Sequence, residues 1–215
     1  MRDFQELFLE TWRGQDSQAL PERSYFPRLR PVGGELVRAI GSDADQTVSP
    51  MYITLVSAMN NAESTIDITV AYFLPDKQLL DAVTAAARRG VRVRVILPSQ
   101  SDFWAVFNAG RSRYATLLAA GVHVYERRQA LLHAKTVLVD DVWTTIGSTN
   151  IDPLSFVHND EVNAVILGHD FGKQMHALFD RDLAQSSEVN LERWEDRPIT
   201  DRLKEWAARL WEYWM

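Results

Sequence analysis

From Pro50 to Leu167 the chain alternates between two hydrophobic periods, and this alternation restricts the fold more than any other feature. Stretches with apolar residues at every second position read as strands: Ile66, Ile68, Val70 and Tyr72 in STIDITVAYF, then VRVRVILP, GVHVYER, LHAKTVLV, VWTTIG and EVNAVIL. Interspersed are stretches with the three-and-four spacing of amphipathic helices, over 51–62, 76–90, 103–120 and 171–184. Asp76 is placed to cap the second of these, and Gly90 and Gly121 to stop the second and third. Crossover helices permit parallel strand pairing, whereas the two strands joined at Asp140-Asp141 are expected to be antiparallel. The expected fold class is α/β, a mixed β-sheet flanked by helices on both faces.

The flanks differ from this middle. Phe4, Leu7, Phe8 and Trp12 have helical spacing, but about 30 residues rich in Pro, Gly, Arg and Ser follow. Residues 1–45 are therefore expected to be a helix and connector belonging to a preceding unit, and 46–215 the domain proper. A last helix over 200–214 carries Leu203, Trp206, Ala207, Leu210 and Trp214 on one face, with Arg202, Lys204, Glu205 and Glu212 elsewhere. Such a face suits either a membrane interface or docking on the core.

Composition excludes several chemistries. With no cysteine, a disulfide, a thiolate zinc site and a cysteine nucleophile are ruled out. A net charge of -6 disfavours nucleic acid, whose phosphates call for clustered Lys and Arg. No apolar run approaches the roughly 20 residues of a membrane span, and MRDFQELFLETWRG lacks a signal-peptide pattern, so any membrane contact is expected to be peripheral.

The stretch LLHAKTVLVDDVWTTIGSTN places polar groups in a strand that otherwise reads as buried. Side chains at i and i+2 of a strand share a face, so His133 and Lys135 project together. An ammonium buried beside an imidazole is costly unless an anion neutralises it, and a phosphate would supply that charge. His133 could then attack phosphorus while Lys135 stabilises the growing charge on oxygen, with Ser148 and Asn150 adding neutral donors beyond Gly147. By composition alone, His-x-Lys-x4-Asp arises on the order of once per hundred chains of this length. Requiring Gly147, Ser148 and Asn150 as well lowers this to roughly one in a million, which favours a catalytic over a packing role.

HAKTVLVD followed by GSTN resembles the HKD motif of the phospholipase D superfamily. AIGSDADQ, AYFLPD, AARRGVRVRVILPSQSD, GSTNIDPLSF and NDEVNAVIL look like the second half of a bacterial cardiolipin synthase, and ELFLETW is similar to the end of its first half. The resemblance implies a two-step phosphodiester exchange without metal or other cofactor. The candidate catalytic set is His133, Lys135, Asp140 and Glu161, and the phosphate-binding set is Lys135, Ser148 and Asn150. His133 would be the nucleophile or the general acid. Asp140, on the opposite strand face, would be mainly structural, and Glu161 would orient the histidine. The implied reaction joins two phosphatidylglycerols into cardiolipin through a phosphohistidine. Hydrolysis by a phospholipase or nuclease of the superfamily, or a non-catalytic lipid-binding half, are the alternatives. The implied partners are the phospholipid substrate and a membrane surface, with peripheral placement on the cytoplasmic side of a bacterial inner membrane.

The chain departs from the family pattern in having a single HKD motif. His123, His158, His169 and His176 all lack a lysine two residues later. A second half is therefore expected, either from another copy of the chain or from a preceding part of a longer polypeptide. Outside the motif, Arg88 and Arg89 are expected to offset the dipole at a helix end. Arg92 and Arg94 share one strand face, expected to be solvated, with contact to lipid headgroups as the alternative, and Tyr72 and Phe73 are expected either in the core or near the substrate pocket.

Overall fold

The computed structural model describes all residues except 1, 16–17, 31, 45, 129–130 and 213–215, and also omits the side chains of 211 and 212. Eight strands form one sheet: β1 (Leu36–Ser42), β2 (Thr65–Val70), β3 (Arg92–Pro98), β4 (His123–Arg127), β5 (Lys135–Val139), β6 (Trp143–Gly147), β7 (Glu161–Leu167) and β8 (Ser186–Glu188). Their order is β1-β7-β6-β5-β2-β3-β4-β8. β2, β3 and β4 run parallel, and every other pairing is antiparallel. The helices are α1 (Arg2–Gly14), α2 (Pro50–Asn61), α3 (Lys77–Arg88), α4 (Trp104–Arg111), α5 (Tyr114–Ala119), α6 (His169–Leu183), α7 (Leu191–Glu195) and α8 (Ile199–Glu212).

Alternation along the central strands creates two different faces. Ile66, Ile68, Val70, Val93, Val95, Val137 and Val139 pack with Met51, Leu55 and Met59 of α2 and Leu79 and Val83 of α3 in the main core. Burying each such side chain contributes on the order of 1.5–3 kcal/mol. The intervening residues face α6. There the Arg94 guanidinium meets both carboxylate oxygens of Asp67 at 2.7 Å, approaches Asp180 at 3.2 Å, and lies over the Phe179 ring. The expectation of a solvated face at Arg94 is thus corrected: only 9 % of the residue is exposed, whereas Arg92 is open to solvent. His176 joins the same cluster, 2.7 Å from Asp141 and 3.4 Å from Asp180.

Local sequence accounts for the element ends. Ser49 and Asp76 cap α2 and α3 by accepting from the Tyr52 and Leu79 N–H groups. Arg89 does more than offset a dipole, because its guanidinium bonds the carbonyls of Met59, Asn60 and Ala62 at the end of α2. Asp140 and Asp141 both adopt positive φ, 52° and 55°, as the tight β5–β6 hairpin requires.

Three expectations are revised. Residues 36–42, read as connector, form β1 at the sheet edge paired with β7, and α1 packs Leu7 against Gly41; the sheet therefore starts at Leu36 rather than after residue 45. The helix expected over 103–120 is split at Ser112, whose hydroxyl donates to the Ala109 carbonyl at 2.6 Å and competes with helix continuation. Glu205, expected on the polar face of the last helix, is buried against Arg197. Trp214, and the Trp211 side chain, lie outside what is described.

Candidate active site

The antiparallel pairing of β5 with β2 decides where polar groups collect. Lys135, at the start of β5, lies opposite Val70, at the end of β2. The end of β6 lies opposite the start of β7, with Gly147 facing Asn163. Four strand ends therefore meet on one rim of the sheet, and the loop after β3 reaches it through Asp102.

Lys135 points to the α2 side and is buried, with 8 % of its surface exposed. His133 precedes the regular strand and is exposed. The Lys135 Nζ lies 3.1 Å from Nδ1 and 3.2 Å from Nε2 of His133, and donates to the His133 carbonyl at 3.0 Å. The pair thus shares a side as its spacing predicts, even though the ladder begins only at Lys135. Burial pulls the Lys135 ammonium below the usual lysine range, and the negative charges of Glu161, Asp152 and Asp102 oppose that shift.

Asn150 is also buried. Its Oδ1 accepts from the Tyr72 N–H at 3.3 Å, which leaves Nδ2, 3.5 Å from Ser155 Oγ, as its donor group. Ser148 is exposed, but its hydroxyl accepts from the Val162 N–H at 3.0 Å and lies 3.4 Å from the Val162 carbonyl, so it ties the loop to β7. Glu161 begins β7 and accepts from Asn159 at 3.4 Å. Among the described residues no hydrogen bond joins it to the His133 ring, and its charge acts on Lys135.

Asp140 stands at the far end of β5, away from this rim. Its carboxylate accepts from the backbone N–H groups of Glu63, Ser64 and Thr65 and from the Ser64 hydroxyl at 2.8–3.0 Å. Burial pushes this carboxyl up, but the backbone donors outweigh it and hold it below the usual range. The chemistry of Asp140 is that of a fastener between two turns.

Several residues of the rim lay outside the sequence-based set. Asn163 is buried in β7. Its Oδ1 accepts from the Thr149 hydroxyl at 2.6 Å and its Nδ2 donates to Thr145 at 2.9 Å, fixing the Ser148–Asn150 loop. A Cβ at Gly147 would lie 2.3 Å from the Val162 carbonyl and 2.4 Å from Asn163, so this approach requires glycine. Asp152 is buried, its carboxyl is raised by that burial, and it accepts from the Ser155 N–H at 2.8 Å. The Tyr72 hydroxyl donates to Asp102 at 2.7 Å, which pushes the phenol up to about 12 and holds the exposed carboxyl low. One signal was available in the sequence: Asn163 interrupts an otherwise apolar EVNAVIL, a polar side chain that must find partners if buried.

Residues 55–183 match the sequence profile of the family described as cardiolipin synthase, PLD-like domain. The chain belongs to that family. Among members of the cardiolipin synthase family, it is 33% identical over 216 aligned positions to "Cardiolipin synthase 2" of Bacillus anthracis, covering 98% of this chain and 41% of that one. It is 34% identical over 187 positions to "Major cardiolipin synthase ClsA" of Bacillus subtilis, covering 87% and 39%. The chain thus spans about two-fifths of the length of these curated relatives. The fold is shared with the phospholipase D family member Nuc from Salmonella typhimurium, at TM-score 0.62 and 19% identity over 73% of this chain and 99% of that one. It is shared also with a phosphatidylserine synthase of Haemophilus influenzae, at TM-score 0.65 and 13% identity over 85% and 46%.

Proposed function

We propose that this chain supplies one HKD half of a phosphatidyltransferase that makes cardiolipin from two phosphatidylglycerols. The observation that carries the reading is the contact between the buried Lys135 ammonium and the exposed His133 imidazole. A cation held in a low-dielectric wall beside an open imidazole favours a tetrahedral anion as common ligand.

In the proposed reaction a ring nitrogen of one HKD histidine attacks phosphorus. The bond from phosphorus to the glycerol oxygen breaks, and the histidine of the other motif protonates that oxygen. A hydroxyl of a second phosphatidylglycerol then gives its proton to the acid histidine and attacks the phosphohistidine, releasing cardiolipin. His133 takes one of these two roles. Lys135 and the Nδ2 of Asn150 bear on the non-bridging oxygens, where charge grows in the transition state. Ser148 supports the loop that carries Asn150, and Glu161 is proposed to orient the His133 ring while balancing the charge of Lys135. The other HKD motif comes from a second copy or from a preceding part of a longer polypeptide, and the substrate comes from a bilayer. Accordingly, we propose a peripheral position on the cytoplasmic side of a bacterial inner membrane.

The test uses an assembly with two HKD motifs and phosphatidylglycerol in mixed micelles. His133→Ala should lower turnover by several orders of magnitude, as expected for loss of a nucleophile or its acid partner. Retained turnover refutes the assignment. Release of phosphatidic acid rather than cardiolipin would assign the chain to hydrolysis instead.

A further inference from the structure

α8 is amphipathic in an unusual sense, because its buried and its apolar faces are different. It docks on α4 through Ala208, fully buried in a small cluster with Leu74, Val106 and Ala109, and its Glu205 is buried too, only 4 % exposed. The Arg197 guanidinium grips the Glu205 carboxylate at 3.0 and 2.5 Å and lies over the Trp194 ring. Ile199, Leu203, Trp206 and Leu210 remain 71, 58, 60 and 51 % exposed. At about 100° per residue these four fall within an arc of roughly 60°, nearly opposite the docked side. Arg202 and Arg209 border the arc on one edge, are exposed, and have no carboxylate partner among the described residues.

The position of this stripe matters. Tyr72 and Phe103 pack against the cluster that receives Ala208, and Tyr72 also bonds Asp102 at the catalytic rim. Trp104, at the start of α4, is 53 % exposed. The helix therefore sits beside the mouth of the site.

We propose that the Ile199–Leu203–Trp206–Leu210 face of α8 seats this domain on an anionic bilayer interface, with Arg202 and Arg209 at headgroup level. This rests on the reading that the substrate is a phospholipid. Four side chains on one helix turn outward form a narrow strip, well short of the ~800 Å² per partner of a standard protein interface. An antiparallel self-association through this strip would also bring Arg202 and Arg209 near their own copies. A bilayer demands no shape match, takes up tryptophan and leucine at its boundary, and attracts the flanking arginines. The domain's net charge of -6 opposes anionic lipid, so attachment has to come from a local patch of this kind.

The test is flotation of the whole chain with vesicles of phosphatidylglycerol and phosphatidylcholine, or of phosphatidylcholine alone. Leu203→Glu with Trp206→Glu should reduce partitioning into both at least tenfold. Arg202→Glu with Arg209→Glu should reduce it about fivefold or more per residue on anionic vesicles only. Both variants alter exposed positions, and an unchanged circular dichroism melt establishes that they fold. Equal flotation of variants and parent overturns the proposal. So does a concentration-dependent dimer in sedimentation that Leu203→Glu with Trp206→Glu dissolves while flotation persists. His133→Ala should float like the parent, so a failure of the catalytic reading is read separately.

Discussion

The Lys135 ammonium touches both ring nitrogens of His133, at 3.1 and 3.2 Å, while its own stem is buried in the wall formed by Val70, Val137 and Leu55. The lysine is thus positioned for chemistry at the expense of stability, and the two effects separate by mutation.

Lys135→Met should raise the unfolding free energy by about 1 kcal/mol at neutral pH, since replacing a buried charge by an apolar chain of similar volume is often stabilising. The folded-state lysine pKa is lowered by burial, so the parent gains stability as pH rises from that value towards the unfolded lysine value. Urea melts at neutral and alkaline pH should show this rise in the parent and its loss in the variant. Turnover in the two-motif assembly should fall at least a hundredfold.

Asp140→Ala should behave in the opposite way. Losing an acceptor shared by three backbone N–H groups should cost about 1–3 kcal/mol, measured by urea melts at neutral pH, with turnover per folded molecule unchanged. Because this carboxyl is held low in the fold, its stabilisation is present above the unfolded aspartate value near 4 and is lost as pH falls through the lower folded value. Equal acid titration of parent and variant would contradict the assignment.

Gly147→Ala should displace the Ser148–Asn150 loop, because the added carbon meets the Val162 carbonyl and the Asn163 side chain, which its bonds to Thr149 and Thr145 hold in place. A cost of about 1–3 kcal/mol is expected for such overpacking, with turnover reduced even well below the melting temperature. Thermal melts and turnover on the same preparation check both.

Asp67→Asn should be among the most damaging single changes outside the rim. It leaves the Arg94 guanidinium beneath α6 with only the half-exposed Asp180 carboxylate as partner, with a loss of about 3 kcal/mol by equilibrium unfolding.

Legibility in the sequence followed physical cause. Strands β2, β3, β5 and β6 were readable because alternation or continuous apolar runs bury them, and the His133–Lys135 pair because the two-residue period is local. β1 was not, since most of its residues remain partly or fully exposed and it is held by pairing with β7, which no local pattern announces. β8 spans only three residues and depends on β4. At the site, Asn163, Asp152 and Asp102 reach the rim from different strand ends, so their roles arise from topology rather than spacing. Arg94 looked like a surface residue because its partner, Asp67, lies on another strand.

The Arg94–Asp67 pair carries an evolutionary consequence. The two positions lie 27 residues apart on neighbouring strands, and a change at either one leaves a dehydrated ion behind. Descendants can leave this pairing only by a concerted double replacement, so across relatives the two columns should covary, retaining opposite charges or turning apolar together.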